Sequence, residues 1–382
     1  MKLIQIIILT FFSITLFAQN GNLEKADRFF SDGNYEEAQK IYASNSEKLN
    51  AEQIANWGFS AFNLKDYETS FQKFKQSAEL KDKTGLRFYA YSFENGIGTE
   101  KDIEKAIKYY ELAAEQNDDV ALSNLGYIHS NGLNGTVDDE KAFNYYSKSA
   151  ELGNPRAMNN LGDMYEGGRA TNQNLKKAFK LYTKSAELND GYAMSNLAQM
   201  YSEGVFVEKD LEKEIFWLEK ACAINHAAAL NNLGTKYLLG EELSQDYKKA
   251  HDLFDRAAAQ MDLTAMVNVG RMKLKGLGME EDLEMAYKIF NYAALEGNIF
   301  AQYELANLFY NGQWVEKDYE TALKIYTASA NGGLSEAQVV VAYMYEMGEG
   351  TEVNIPEAIN WYEKASSQGS EFATNKISEL KR

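Results

Sequence analysis

Few residues of this chain have a type and spacing that could do chemistry. It carries one cysteine and three histidines in 382 residues. Cys222 and His226 are four apart, so one helical face could offer both to a metal ion. Cys222, however, falls in a small-residue column with Ala186 and Ala258, which predicts a buried, inert thiol. His129 takes the place of Tyr165, Tyr201, Tyr237 and Tyr345 in its column and is expected to fill a packing position. No nearby pattern supports His251. No Ser-His-Asp or Cys-His arrangement can be assembled from these residues. The glycine pairs Gly96/Gly98, Gly276/Gly278 and Gly348/Gly350 could suggest phosphate loops, but such loops join a strand to a helix. These lie between two helical patterns beside acidic residues, as in GMEED, and are expected to be turns. The sequence therefore offers no catalytic residue, no metal ligand and no cofactor-binding residue, and no cofactor is expected.

What gives these positions meaning is a repeat. Alanines recur at Ala121, Ala157, Ala193, Ala229, Ala265, Ala301, Ala337 and Ala373, each step 36 residues, and Gly85 extends the register one step earlier. Further columns keep the step. One is glycine, as at Gly96 and Gly168, and one is Asp or Asn, as at Asp102 and Asn174. One is alanine, as at Ala106 and Ala178, and one is large and mostly aromatic, as at Tyr110 and Tyr182. In the unit that begins at Ala157, the residues Ala157, Leu161, Met164 and Tyr165 recur at helical spacing and mark the apolar stripe of a first helix. Gly162 lies on the flank of that stripe and predicts the close approach of another helix. Gly168 suits a left-handed C-terminal cap and Asn174 the N-cap of a second helix. Ala178, Leu181, Tyr182, Ser185 and Ala186 form the second stripe, which Asn189 ends.

Each unit is thus helix, turn, helix. One pair cannot bury both stripes, but stacked pairs can, which predicts an all-α chain built as an α-solenoid. Eight units cover 85–372. A first helix over 373–382 is expected to cap them, with Phe372, Ala373, Ile377 and Leu380 on the last stripe and Lys376, Glu379, Lys381 and Arg382 facing water. Residues 19–84 follow a shorter register, in which Tyr35 matches Tyr67 and Ala38 matches Ser70, and are expected to form two helical hairpins. Residues 1–18 are expected to be a signal peptide. A lysine precedes the apolar run Leu3–Phe17, which is short for a membrane span, and cleavage is placed after Ala18. Leu16 is larger than ideal at the minus-three position, and an uncleaved anchor is the alternative.

The columns Ala-x-x-x-Leu-Gly-x-x-Tyr, then Gly, then Asp, then Lys-Ala, then Tyr-x-x-Ala-Ala resemble the Sel-one-like repeat (SLR) family. The segment Ala121–Asn154, ALSNLGYIHSNG through DDEKAFNYYSKSAELGN, is a close match. The N-terminal hairpins resemble tetratricopeptide (TPR) repeats. The resemblance implies a right-handed superhelix of antiparallel helix pairs, used as a protein-interaction scaffold, in bacteria often at the cell envelope. A cysteine-rich branch is associated with β-lactam binding, but its paired cysteines are absent here.

Two rows follow from the register. By resemblance to tetratricopeptide solenoids, first helices line a concave groove. The seventh residue of each unit lies opposite the stripe: Tyr91, Tyr127, Asp163, Gln199, Thr235, Arg271, Asn307 and Tyr343. Aromatics and arginine there are candidate contacts for a partner. Asn124, Asn160, Asn196, Asn232 and Asn268 form a second row at the border of the stripe, where each amide could bond the backbone of the adjacent unit. That ladder is expected to be structural, with ligand capture as the alternative. In the fourth unit Glu214 replaces the column alanine and Trp217-Leu218 the usual aromatic pair; a local bend is expected, a functional carboxylate being the alternative. Lys273 replaces the column tyrosine, and its stem is expected to cover apolar surface while the charge reaches water.

The formal net charge of −17 argues against binding nucleic acid or anionic membranes. The sequence is thus expected to be an exported scaffold, periplasmic or secreted and monomeric, that binds a protein or peptide partner in its groove without catalysis or direct membrane insertion. The alternatives are an envelope hydrolase acting on cell-wall material or β-lactams, and a self-assembling structural solenoid.

Overall fold

The computed structural model describes residues 22–381, and the expected signal peptide, residues 1–18 with cleavage after Ala18, lies outside them. Among the described residues every regular element is helical. The chain divides after Ala193 into two compact bodies. The first holds α1 (22–31), α2 (Tyr35–Ser44), α3 (Ala51–Asn63), α4 (Tyr67–Glu79), α5 (Lys83–Asn95), α6 (Ile103–Ala114), α7 (Asp119–Ser130), α8 (Asp139–Glu151), α9 (Pro155–Gly167) and α10 (Leu175–Glu187). The division falls in the first turn of α11 (Gly191–Glu203). The second holds α12 (Leu211–Ala223), α13 (Ala227–Leu239), α14 (Tyr247–Ala258), α15 (Leu263–Lys275), α16 (Leu283–Leu295), α17 (Ile299–Asn311), α18 (Tyr319–Asn331), α19 (Ser335–Met347), α20 (Ile355–Ser367) and α21 (Glu371–Leu380). Within each body successive helices pack as neighbours, pair upon pair, which is the solenoid arrangement.

Local chemistry places the helix ends where the columns predict. All eight residues from Asp102 to Asn354 in the Asp/Asn column are N-caps whose side chain accepts the backbone N–H three residues on. Each cap contributes about 1 kcal/mol. Gly168 ends α9 at φ 65°, a left-handed conformation that costs other residues a steric clash. A second capping column, at Asp82, Asp118, Asn154, Asp262 and Asn298, starts the first helices in the same way and was not foreseen from the pattern.

The core is repeated as faithfully as the caps. Column alanines Ala106, Ala142, Ala178, Ala250, Ala286, Ala322 and Ala358 are all fully buried, and the rings of Tyr110, Tyr182, Phe254, Phe290 and Tyr362 are too. The close approach foreseen at Gly162 is made by the ring of its own unit's second helix. A Cβ on Gly162 would lie 2.6 Å from the Tyr182 ring. Some units add a tie between paired helices: Ser149 Oγ donates to the Asp119 carbonyl at 2.6 Å and Ser185 Oγ to the Pro155 carbonyl at 2.7 Å.

At the C-terminal end Ala373 is buried and Ile377 and Leu380 pack on the last core cluster, as expected of a cap. Phe372 departs from expectation. It precedes Ala373 by one helical step, lies 52% exposed, and only its edge meets Tyr362. Lys376 also departs, because its ammonium turns back to Glu346 Oε1 at 2.9 Å.

Candidate partner-binding site

The seventh-residue row stands on first helices whose other faces are buried, and the structure divides it. Tyr127 on α7 is 38% exposed, with the Arg156 guanidinium of α9 5.5 Å from its ring centre. Gln199 on α11 is exposed and donates to Glu203 at 2.9 Å. Tyr91 and Tyr343 are half-buried, the former edge-on to Phe62. Thr235 is half-buried and donates to the Asn231 carbonyl of its own helix. The other three residues carry bonds within the fold. Arg271 pairs with Glu304 of the next unit at 2.7 Å. Asp163 and Asn307 each accept the hydroxyl proton of the tyrosine 19 positions later, Tyr182 and Tyr326.

Those hydroxyl bonds belong to a set that the sequence reading missed. A fully buried tyrosine leaves one polar atom in the core, and an unmade bond there costs about 1–3 kcal/mol. Tyr110 donates to Glu94 at 2.6 Å and Tyr362 to Glu346 at 2.9 Å, while the single Tyr182 hydroxyl proton is shared between Asp163 at 2.7 Å and Glu166 at 2.6 Å. Burial pushes the Asp163 carboxyl up to about 6; the Tyr182 bond works against the rise and the charge of Glu166 adds to it. Burial likewise raises Tyr182 far above the ordinary tyrosine value, and Asp163 and Glu166 reinforce the shift.

The asparagine row meets the same tyrosines. Asn124 and Asn160 lie beside the Tyr110 and Tyr146 hydroxyls of the preceding units and partly offset the rise in pKa that burial gives each of them. Asn268 donates to the Asn231 side chain at 2.9 Å. The Asn268 bond crosses between units, but it runs to a side chain and not to the backbone that was expected. Asn196 is half-buried on α11, and Asn232, which follows the hydroxyl-free Leu218, is exposed.

Helix α12 runs unbroken through Glu214, which is 4% exposed and is held by Lys236 of α13, Nζ to Oε1 2.8 Å. Lys236 reaches Glu242 as well. Burial alone would depress the ammonium's pKa, but the bonds to Glu214 and Glu242 outweigh it and raise it. Beside this pair opens a cavity of about 340 Å³, with Leu218 in its wall where other units place a ring.

The remaining polar candidates are structural. Burial pushes the Cys222 thiol up to about 11, far from the thiolate a metal or nucleophile needs. His226 Nδ1 lies 3.3 Å from Ser195 Oγ. His129 is 4% exposed and stacks on Tyr145, and burial lowers its pKa. His251 Nδ1 meets Asp255 at 3.1 Å. Lys273 borders an apolar cavity of about 570 Å³ lined by Met261, Met266, Met285 and Tyr292. Among the described residues no three of His, Cys, Asp and Glu gather as metal ligands, and no helix is long and apolar enough to cross a membrane.

Comparison with known proteins agrees with this architecture. The Sel1 repeat model matches eight times, at 84–118, 119–154, 155–190, 191–226, 227–260, 263–298, 299–334 and 335–370. No curated protein matches the chain. Among solved structures, c5321 of uropathogenic Escherichia coli, a protective antigen with an SLR fold, is similar at TM-score 0.63 and 26% identity, over 95% of this chain and 80% of that one. A Sel1 repeat protein from Oxalobacter formigenes is similar at TM-score 0.54 and 26% identity, over 81% and 89%. With eight matched units across most of its length, the chain belongs to the Sel1 repeat family.

Proposed function

We propose that this chain is an exported scaffold that binds a protein or peptide partner along the first-helix face and performs no catalysis of its own. The observation that carries this reading is the exposed part of the seventh-residue row, two of its eight residues. Tyr127 and Gln199 stand in solvent on helices whose opposite faces are buried. Tyrosine offers a partner large contact area with two rotatable angles to order, and arginine is the other common anchor of interfaces. A scaffold already rigid through its core loses little entropy when such contacts form. The net charge of −17 favours a basic partner. Export rests on the apolar run Leu3–Phe17 behind a lysine.

The test is crosslinked capture of the partner from the native envelope, read by mass spectrometry, with the wild-type protein and with Tyr127→Ser/Arg156→Ser. We expect the double variant to recover the partner at least tenfold less while its circular dichroism is unchanged. Equal recovery by both proteins would remove the first-helix face from the interaction.

A further inference from the structure

Three departures from the repeat meet at one place in the second body. Glu214 stands where seven other units bury alanine. Lys236 stands in the column of Ile128, Met164, Met200, Met272, Leu308 and Met344, all of them core residues at most 2% exposed. Leu218 stands where every other unit places a tyrosine or phenylalanine ring. All three line the same cavity of about 340 Å³. The missing ring accounts for the space, and the two charged replacements account for its polarity.

An ion pair is a poor substitute for alanine and methionine if the only task is stacking, because removing two charges from water costs as much as their attraction returns. The other units close the same junction without charge. What the pair does accomplish is to hold a carboxylate at a fixed position below the surface. The remaining wall repeats that sign: Glu203, Glu241 and Glu242 join Glu214, so that four carboxylates face the one ammonium of Lys236. Ser195, Ser202, Thr235 and Asn232 add neutral acceptors. Glu242 is half exposed at the outer end of the Lys236 bridge, within reach of an incoming cation. A volume of this size lies at the small end of ligand pockets, which run from about 300 to 1,000 Å³.

We infer that the junction of the fourth and fifth units is a socket for a basic side chain, and that the partner presents an arginine or lysine to it. This deepens the proposed function and rests on it. The alkyl stem of the entering residue lies along Leu218, Ala198 and Leu239, and its charged head donates hydrogen bonds to the carboxylates of Glu242 and Glu241, the charge-assisted kind that contributes most.

The test uses fluorescein-labelled Gly-Ser peptides bearing three spaced arginines, three lysines or three glutamates, titrated by anisotropy at physiological salt against the full chain. Leu218→Tyr fills the cavity without changing charge. It should fold, since Tyr110 and Tyr326 already pack in units that carry Ala90 and Ala306 where this one has Ala198. Glu214→Ala/Lys236→Met is a second variant and restores residues that other units use. We expect the arginine and lysine peptides to bind the wild type, the glutamate peptide not to bind, and both variants to lose about tenfold in affinity. Basic peptides that bind both variants as well as the wild type, or that fail to bind the wild type, would overturn the socket. So would spermidine binding more tightly than either peptide, since the occupant would then be a free polyamine. In the envelope capture, loss of partner by Tyr127→Ser/Arg156→Ser but not by Leu218→Tyr would sink the socket and leave the first-helix face standing. If neither variant loses the partner, the face itself falls.

Discussion

Asp163 bears a cost that one atom can remove. Its carboxylate accepts the Tyr182 hydroxyl at 2.7 Å beside Glu166, and burial raises its pKa from the ordinary 3.8 to about 6. A carboxyl with a raised folded pKa holds its proton more tightly in the folded chain than in the unfolded one. Stability therefore falls as pH rises from about 4 to about 6, and above that range the full penalty applies. At 1.4 kcal/mol per tenfold in proton affinity, the penalty at pH 7.5 is at most about 3 kcal/mol. Asp163→Asn removes the charge and keeps an acceptor for Tyr182. The seventh unit is the precedent, because Asn307 occupies the same column and accepts from Tyr326. For a body of this size 1 kcal/mol moves Tm by roughly 2–4 °C, so a gain of about 3 to 10 °C is expected at pH 7.5. The gain should shrink through pH 6 and vanish near pH 4. Thermal melts followed at 222 nm for wild type and variant across that range give the difference directly and cancel the other carboxylates. An equal or lower Tm for Asp163→Asn at pH 7.5, or a gain that persists at pH 4, would refute the reasoning.

Two further substitutions test the packing. Glu214→Ala alone leaves the Lys236 ammonium only its outer partner Glu242 and should cost roughly 1–3 kcal/mol in urea unfolding, whereas Glu214→Ala/Lys236→Met should return to wild-type stability or exceed it; equal losses for both would mean the pair is not the unit that matters. A Cβ on Gly270 would lie 2.5 Å from the Phe290 ring. Overpacking of that kind costs about 1–3 kcal/mol. The helix propensity gained over glycine returns only about 1 kcal/mol. Gly270→Ala should therefore lower Tm, and Gly270→Ala/Phe290→Leu, which copies the Ala198 and Leu218 of the fourth unit, should recover part of the loss.

The parts of this fold that were legible in the sequence are those set by local chemistry. A cap such as Asn174 bonds a residue three positions away, and Gly168 answers to its own backbone angle, so each can be read without knowing what packs nearby. The seventh-residue row could not be read that way. Asp163 and Asn307 share a helical position with Tyr127, but whether that position meets solvent depends on a hydroxyl 19 residues on, in another helix. The hydroxyl bonds did leave a trace across units. Glu94, Glu166 and Glu346 precede Tyr110, Tyr182 and Tyr362 by 16 residues, and where the ring is Phe254 or Phe290 the same position is Leu238 or Leu274. An acid accompanies the hydroxyl in those three units and leucine its absence in the two phenylalanine units, whereas Ser130, Ser202 and Tyr310 stand at the same position before Tyr146, Leu218 and Tyr326. Lys236 was legible by the same test. Its column is otherwise almost wholly apolar, and the departure at Glu214 called for a partner of opposite sign within one helix contact.

A repeat chain therefore carries its own control. Where the units agree, the shared residue is explained by stacking, since stacking is what the units have in common. Where one junction between units breaks several core columns at once and the broken positions touch, stacking cannot be the reason, because the neighbouring junctions stack without them. Glu214, Leu218 and Lys236 satisfy that condition around a single cavity, whereas the exposed row varies one position at a time. Isolated variation on an exposed face distinguishes one scaffold surface from another only in the sum of many weak contacts. On the reading proposed above, a coordinated break in the core supplies a single contact of defined charge and size, which selects one partner from many more sharply than the exposed row does.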